Sequence, residues 1–284
     1  MIITRSPLRV SFIGGGTDFE KFYNFHKGGV ISTSINKYVY VTIKQKFDKG
    51  IKLSYSKNEN IDNTKEIKHK LIRKIFQKYN ISSNIELSSL ADIHSSGTGL
   101  GSSSAFSLCT ISSIRKFLQL KEYKKSQLAF EAYNIEKSIN NSAMGLQDQF
   151  ASAYGGFNFI SFYKKKIQVS KIKLKKDEIN FLQNSLYLVY TETNRSASKI
   201  LKRHNNLISL NNDKIDYLKK MYEEVYETYI NLNRGNVEYI ADSIKKSWEL
   251  KKSFNGTITN KNINNLINYG INNGAYSSKL LGAG

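Results

Sequence analysis

Residues 97–105 read Gly-Thr-Gly-Leu-Gly-Ser-Ser-Ser-Ala, within the longer stretch SSGTGLGSSSAFSLCTISSIRKFL that runs from Ser95 to Leu118. Three glycines and five serines stand directly before a segment that is apolar on most sides, through Ala105, Phe106, Leu108, Cys109, Ile111, Ile114, Phe117 and Leu118. That segment predicts a largely buried helix. Glycine weakens helices and strands, so the cluster needs another reason. A glycine loop entering a helix N-terminus turns backbone N–H groups toward a concave surface, where the helix dipole favours an anion. Serines add hydroxyl donors, and a hydroxyl at the helix start can reach a magnesium ion. The stretch is not the familiar phosphate loop, because no Gly-Lys-Ser/Thr follows, and it is not GxGxxG after a first strand. A flexible linker, or plain N-capping by Ser102 to Ser104, is the simpler use of the same residues.

Outward from the loop, the first half alternates short strands and helices. Leu8, Val10 and Phe12 alternate with Arg9, Ser11 and Ile13, the period of a half-buried strand that GGGTD at 14–18 then breaks. VISTSIN (30–36), YVYVTIKQKF (38–47) and IKLSYS (51–56) predict further strands. Ile67, Leu71, Ile75 and Tyr79 share one helical face, and a strand is expected around Ile85–Leu87. Helices follow through Leu128, Ala132, Ile135 and Ile139, and over 145–156; a strand pair spans 157–173. In the second part LYLVYTET (186–193) reads as an apolar strand. Helical stripes come next: Ile215 to Tyr229, Val237 to Trp248, and 262–275. The boundary is drawn near residue 180, giving domains at 1–180 and 181–284, each large enough for its own core.

Composition narrows the class. The 284 residues carry 40% apolar side chains, and the single cysteine, Cys109, excludes an internal disulfide and suits a reducing compartment. Cys109 is expected to pack and do no chemistry. The start MIITRSPLRV lacks the order of a signal peptide, and no apolar run approaches a membrane span. A soluble, cytoplasmic protein with no membrane partner is expected. The net charge of +20 comes from lysines spread along the chain, which argues for a solvated surface and against a nucleic-acid footprint. The four histidines are scattered and build no metal cluster.

Several stretches together resemble the GHMP kinases, the superfamily of galactokinase, homoserine kinase, mevalonate kinase and phosphomevalonate kinase. LRVSFIGGGTD at 8–18 is similar to the superfamily's first motif, and residues 95–105 to its second, without the usual proline. PLRVSFIGGGTD (7–18), LADIHSSGTGLGSSSAF (90–106), GLQDQFASAYGGFNFISF (145–162) and NRSASKIL (194–201) resemble the heptose-phosphate branch, in order along the chain. KLLGAG at 279–284 is similar to the start of the third motif, and the resemblance implies a further strand and helix after it. The implied fold is α/β, a two-domain α+β arrangement with nucleotide and sugar in the cleft between domains. The implied reaction is ATP- and Mg2+-dependent phosphorylation of the anomeric hydroxyl of a phosphorylated heptose. A kinase for a fucose- or galactose-like sugar, an inactive fragment and a basic nucleic-acid-binding protein remain alternatives; a homodimer is compatible with the first reading.

The resemblance also implies roles. Gly97, Thr98, Gly99, Leu100, Gly101, Ser102, Ser103 and Ser104 would wrap the triphosphate, and Ser103 and Glu136 would hold magnesium, a hard cation that takes oxygen ligands. Glu136 reads equally as a surface carboxylate beside Lys137. Asp148, between Gln147 and Gln149, would take the proton of the acceptor hydroxyl; alternatively it stabilises a helix start. Arg9 would stabilise charge on the transferred phosphoryl, with a structural ion pair as the competing reading. Gly15, Gly16, Thr17 and Asp18 would contact sugar hydroxyls together with Gln147. Arg195 would clamp the substrate's existing phosphate, or simply sit at the surface.

Overall fold

The computed structural model describes residues 1–93, 97–139, 144–164, 166–191, 197–210 and 212–282. Seven strands among these form one mixed sheet: β1 (Ile2–Ile13), β2 (Gly28–Gln45), β3 (Ile51–Ser54), β4 (Asn58–Ile61), β5 (Ile85–Ala91), β6 (Phe157–Tyr163) and β7 (Lys166–Lys171). The long β2 is its spine. β1 runs antiparallel to β2 over most of its length, while β6 pairs with Gly28–Thr33 and β5 with Val39–Gln45. Only β3 and β5 are parallel. The two expected strands at 30–36 and 38–47 are thus one strand, because nothing between them breaks an extended chain of β-branched and aromatic residues.

Helices α1 (Glu20–Tyr23), α2 (Lys70–Lys78), α3 (Ser102–Phe117), α4 (Lys125–Ile139) and α5 (Gln147–Tyr154) belong to the first half. The second half is helical among the described residues: α6 (Lys176–Ser185), α7 (Ala197–Leu210), α8 (Asn212–Asn233), α9 (Tyr239–Phe254) and α10 (Lys261–Asn272). Position 180 falls inside α6, whose Leu182 shares a core cluster with Val10 and Phe12 of β1 and with Val225 and Ile240 of α8 and α9. A second cluster joins Val41, Ile43, Leu53 and Leu87 of the sheet to Ile72, Ile111 and Ile135 of α2, α3 and α4. Each such side chain withdrawn from water contributes about 1.5–3 kcal/mol.

Three expectations are corrected. β1 is not half-buried: every residue from Leu8 to Ile13 is buried, since helices cover both its faces. Alternation sorts the side chains as far as Phe12, with Leu8, Val10 and Phe12 in the apolar cluster and Arg9 and Ser11 turned to α5. Ile13, expected on the side of Arg9 and Ser11, joins the apolar cluster because the register slips after Ser11. Ile67 precedes α2 as the end of a 3-10 turn over Thr64–Glu66, because His69 caps the helix and starts it later. Residues 186–190 make no strand; they have no ladder partner, and Tyr187, Leu188, Val189 and Tyr190 are exposed. No helix among the described residues is long and apolar enough to cross a membrane.

Candidate active site

Three glycines shape the loop that leads into α3. Gly97, Gly99 and Gly101 all have positive φ, and Gly101 at +76° is the N-cap of α3 with no side-chain cap. N-capping by serine is therefore not what the cluster does. The loop runs directly into the N-terminus of a 16-residue helix, the end whose dipole favours an anion. A Cβ on Gly99 would stand 2.7 Å from the carbonyl oxygen of Leu281, so the segment 279–282 lies directly on the loop. Thr98 Oγ1 is buried and has no hydrogen-bond partner among the described residues. An orphaned buried hydroxyl beside a helix N-terminus suits a phosphate chain.

Arg9 comes from β1, and its backbone N–H donates to Leu100 of the loop at 3.0 Å. Its guanidinium donates from Nη1 to the Gly99 carbonyl, and from Nε and Nη2 to Oδ1 of Asp148 at 2.9 and 2.7 Å. Asp148 sits in the first turn of α5, as a helix-start aspartate would, but it is also ion-paired. The arginine side chain is 4% exposed and the aspartate 30%, so the pair is open on the aspartate side only. Next to it, Ser11 donates to Gln147 Oε1 at 2.9 Å, which ties the glutamine amide to the strand.

Glu136 is buried, not a surface carboxylate, and Lys137 pairs instead with Glu20. Ser103 Oγ and Ser104 Oγ donate to its Oε2 at 3.3 and 3.4 Å, and Gln149 Nε2 donates to Oε1 at 3.3 Å. Burial pushes the Glu136 carboxyl up to about 7, against the hydrogen bonds that lower it. A buried carboxylate with only neutral donors around it suits a divalent cation. Among the described residues no three His, Cys, Asp or Glu side chains gather to hold a metal alone, so magnesium held by Ser103 and Glu136 would take its remaining ligands from phosphate and water.

The first motif is braced rather than open. Thr17 Oγ1 donates to the Gly14 and Gly29 carbonyls and accepts from Gly29 N–H, and the residue is fully buried. Asp18 accepts from the N–H groups of Gly16 and Gln147 at 3.0 and 3.1 Å, and burial raises its carboxyl to about 6. Gly145 lets this happen, since a Cβ there would stand 1.9 Å from Asp18 Oδ2. Gly15 lies against the Gln147 amide. Arg195 lies outside the described residues. Cys109 is buried, its thiol raised to about 12 by burial and donating to the Val39 carbonyl.

Sequence reasoning passed over three groups. Gln149 reaches both Ser104 and Glu136. His204 is buried between Phe19 and Phe254, held neutral with a value near 3, chiefly by burial and then by Lys251. Lys279 donates to two carbonyls of β1 and, with Gly97 to Leu100, lines a cleft of about 2020 Å³. Only Lys279 carried a signal, its place in KLLGAG.

Residues 65–156 match the family described as the GHMP kinases N terminal domain. Over 301 aligned positions the chain is 29% identical to a D-glycero-alpha-D-manno-heptose 7-phosphate kinase of Campylobacter jejuni, spanning all of this chain and 86% of that one. Its fold superposes on the crystal structure of a D-glycero-D-manno-heptose 1-phosphate kinase from Bacteriodes thetaiotaomicron with a TM-score of 0.79 at 22% identity, covering 100% of this chain and 86% of that one. The phosphomevalonate kinase of Streptococcus pneumoniae, solved with phosphomevalonate and AMPPNP, superposes with a TM-score of 0.76 at 13% identity over 100% and 89% of the two chains.

Proposed function

We propose that this chain, which carries a GHMP kinase N-terminal domain over residues 65–156, transfers the γ-phosphoryl group of ATP to the anomeric hydroxyl of a phosphorylated heptose. The substrate proposed is D-glycero-D-manno-heptose 7-phosphate, and the product is the 1,7-bisphosphate, a precursor for nucleotide-activated heptose. The observation that carries the reading is the Arg9–Asp148 pair set against the Gly99 carbonyl. It puts a proton acceptor and a fixed cation beside a loop built to hold phosphates. The relationship to a heptose 7-phosphate kinase supports the choice of sugar.

Phosphoryl transfer asks little covalent chemistry of the protein and much positioning. Both donors of Arg9 go to Oδ1 of Asp148, so Oδ2 has no protein partner among the described residues. Oδ2 accepts the hydroxyl proton as the sugar oxygen bonds to the γ-phosphorus and the bond to the β-phosphate oxygen breaks, leaving ADP. The guanidinium stays fixed through the transfer and offsets charge spreading over the phosphoryl oxygens. Residues 97–104 hold the triphosphate through N–H groups and the Thr98 hydroxyl. Magnesium, when bound by Ser103 and Glu136, neutralises phosphate charge.

A coupled assay of ADP formation over free and 7- or 6-phosphorylated sugars tests this. Turnover is expected with heptose 7-phosphate and not with galactose, fucose or free heptose. Preference for an unphosphorylated sugar would move the chain to another branch of the same kinases.

A further inference from the structure

The ladder between β1 and β2 slips register between Ser11 and Ile13. A strand normally sends successive carbonyls in opposite directions, but at this bulge both the Ser11 and Phe12 carbonyls accept from one amine, Lys279 Nζ, at 3.1 and 2.6 Å. The lysine makes no ion pair with a carboxylate among the described residues. Its charged neighbours are cations: Lys251 of α9, whose amine donates to the Gly282 carbonyl at 2.8 Å, and Arg9 of β1. The segment carrying it is clasped to the phosphate loop, because Gly99 and Gly282 pack backbone to backbone. Val10 and Phe12 of β1 line the same cleft as Lys279 and residues 97–100.

We propose that Lys279 is an anion-binding residue of the site, whose ammonium takes a phosphate oxygen of the bound nucleotide as its third hydrogen-bond partner. The proposal rests on the kinase reading for the identity of the nucleotide. A neutral amine has two N–H donors, and the two bulge carbonyls use both. Protonation adds a third donor and a charge that no carboxylate among the described residues balances. Burial, then Lys251 and Arg9, lower the amine well below the ordinary lysine value, so in the empty site it holds its proton less firmly than it would in water. An arriving phosphate reverses that balance by supplying the missing counter-charge. Phosphate would thus strengthen the amine's hold on its proton and offset the cost of burying the charge. The glycines at 99 and 282 bring this lysine to the loop.

Isothermal titration with Mg-AMPPNP at about pH 8, in two buffers of different ionisation enthalpy, reads the effect directly. The wild-type protein is expected to take up protons on binding. Lys279→Met should bind about tenfold or more weakly, the usual loss for a charged hydrogen bond, with no uptake. Lys279→Arg, whose guanidinium stays protonated, should keep more of the affinity and still show no uptake. Melting curves for both variants separate this from unfolding. Equal affinity and equal uptake in wild type and Lys279→Met would overturn the proposal. Uptake with the sugar phosphate alone, and none with AMPPNP, would overturn the assignment to the nucleotide. A wild type that phosphorylates no sugar phosphate, yet shows Lys279-dependent uptake with AMPPNP, would sink the kinase reading and leave this inference standing.

Discussion

Arg9 and Asp148 lie 139 positions apart and meet through two donors on a single oxygen, Oδ1, at 2.9 and 2.7 Å. A symmetric fork would have occupied both carboxylate oxygens. This geometry fixes the aspartate and spares Oδ2, while the third donating nitrogen of the guanidinium holds the loop at Gly99. One arginine therefore sets the distance between Asp148 and the glycine loop.

Asp148→Asn isolates the proton-accepting step. The amide oxygen can still take both bonds from Arg9, but the NH2 that replaces Oδ2 accepts no proton. Turnover should fall about a hundredfold to ten-thousandfold, the range of a general base. AMPPNP affinity and melting temperature should change little. Steady-state kinetics beside calorimetry check this, and unchanged turnover would move the base elsewhere.

Gly99 tests the loop. Its φ of +68° disfavours any side chain, and a Cβ would press on the Leu281 carbonyl at 2.7 Å. Gly99→Val should weaken nucleotide binding about tenfold or more and cost about 1–3 kcal/mol of stability as backbone strain. Gly101→Ala meets the same backbone strain, at a φ of +76°, but the atoms nearest its Cβ belong to the Arg9 side chain, at 3.2 Å, instead of to backbone. It should lower turnover more than it lowers the melting temperature. Valine at 99 with wild-type AMPPNP affinity would remove the loop from the binding site.

The loop was legible because three alternating glycines before an apolar helix have few uses, and their left-handed φ values are a local property. The partners of Arg9 were not legible from spacing alone. Nothing local announces a contact between a first-strand arginine and a fifth-helix aspartate; the family resemblance supplied it. The burial of Glu136 was hidden for the same reason, since it depends on α3 and α5 closing over α4. The strand expected at 186–193 failed in the opposite way: its composition suits a strand, but a strand exists only where a neighbour supplies the ladder. Lys279 was quoted within a glycine motif, yet the bulge that gives it two carbonyls exists only once β1 is paired.

Asp18 gives a pH dependence of stability with a definite sign. Burial raises its carboxyl from 3.8 to about 6, so the folded state holds a proton that the unfolded state has already released between these values. Its contribution is therefore fully present below about pH 4, declines as pH rises, and is gone above about pH 6. Asp18→Asn removes the titration while keeping a polar group against Gly16 and Gln147. Across pH 4 to 6 the melting temperature of the wild type should drop relative to the variant, then run parallel to it. Parallel curves over the whole range would mean that Asp18 is ordinarily ionised in the fold.

Ser103 and Ser104 both donate to Glu136 Oε2, at 3.3 and 3.4 Å, yet only one is expected to serve magnesium. Ser104 also accepts from the Gln149 amide at 3.0 Å and is buried, which commits its oxygen to the protein. Ser103 Oγ accepts no such bond among the described residues, and the residue is exposed. Glu136→Gln should weaken Mn2+ binding to the AMPPNP complex about tenfold to a hundredfold, the loss expected when a charged oxygen leaves a divalent site. Ser103→Ala should weaken it less, because water can replace a neutral hydroxyl around magnesium or manganese. Ser104→Ala should leave metal affinity unchanged and lower the melting temperature instead, since the Gln149 amide loses one of its two acceptors in the core. Electron paramagnetic resonance of bound Mn2+ reads all three without relying on turnover. Equal Mn2+ affinity in wild type and Glu136→Gln would make Glu136 a structural acid, held in the core by its hydrogen bonds alone.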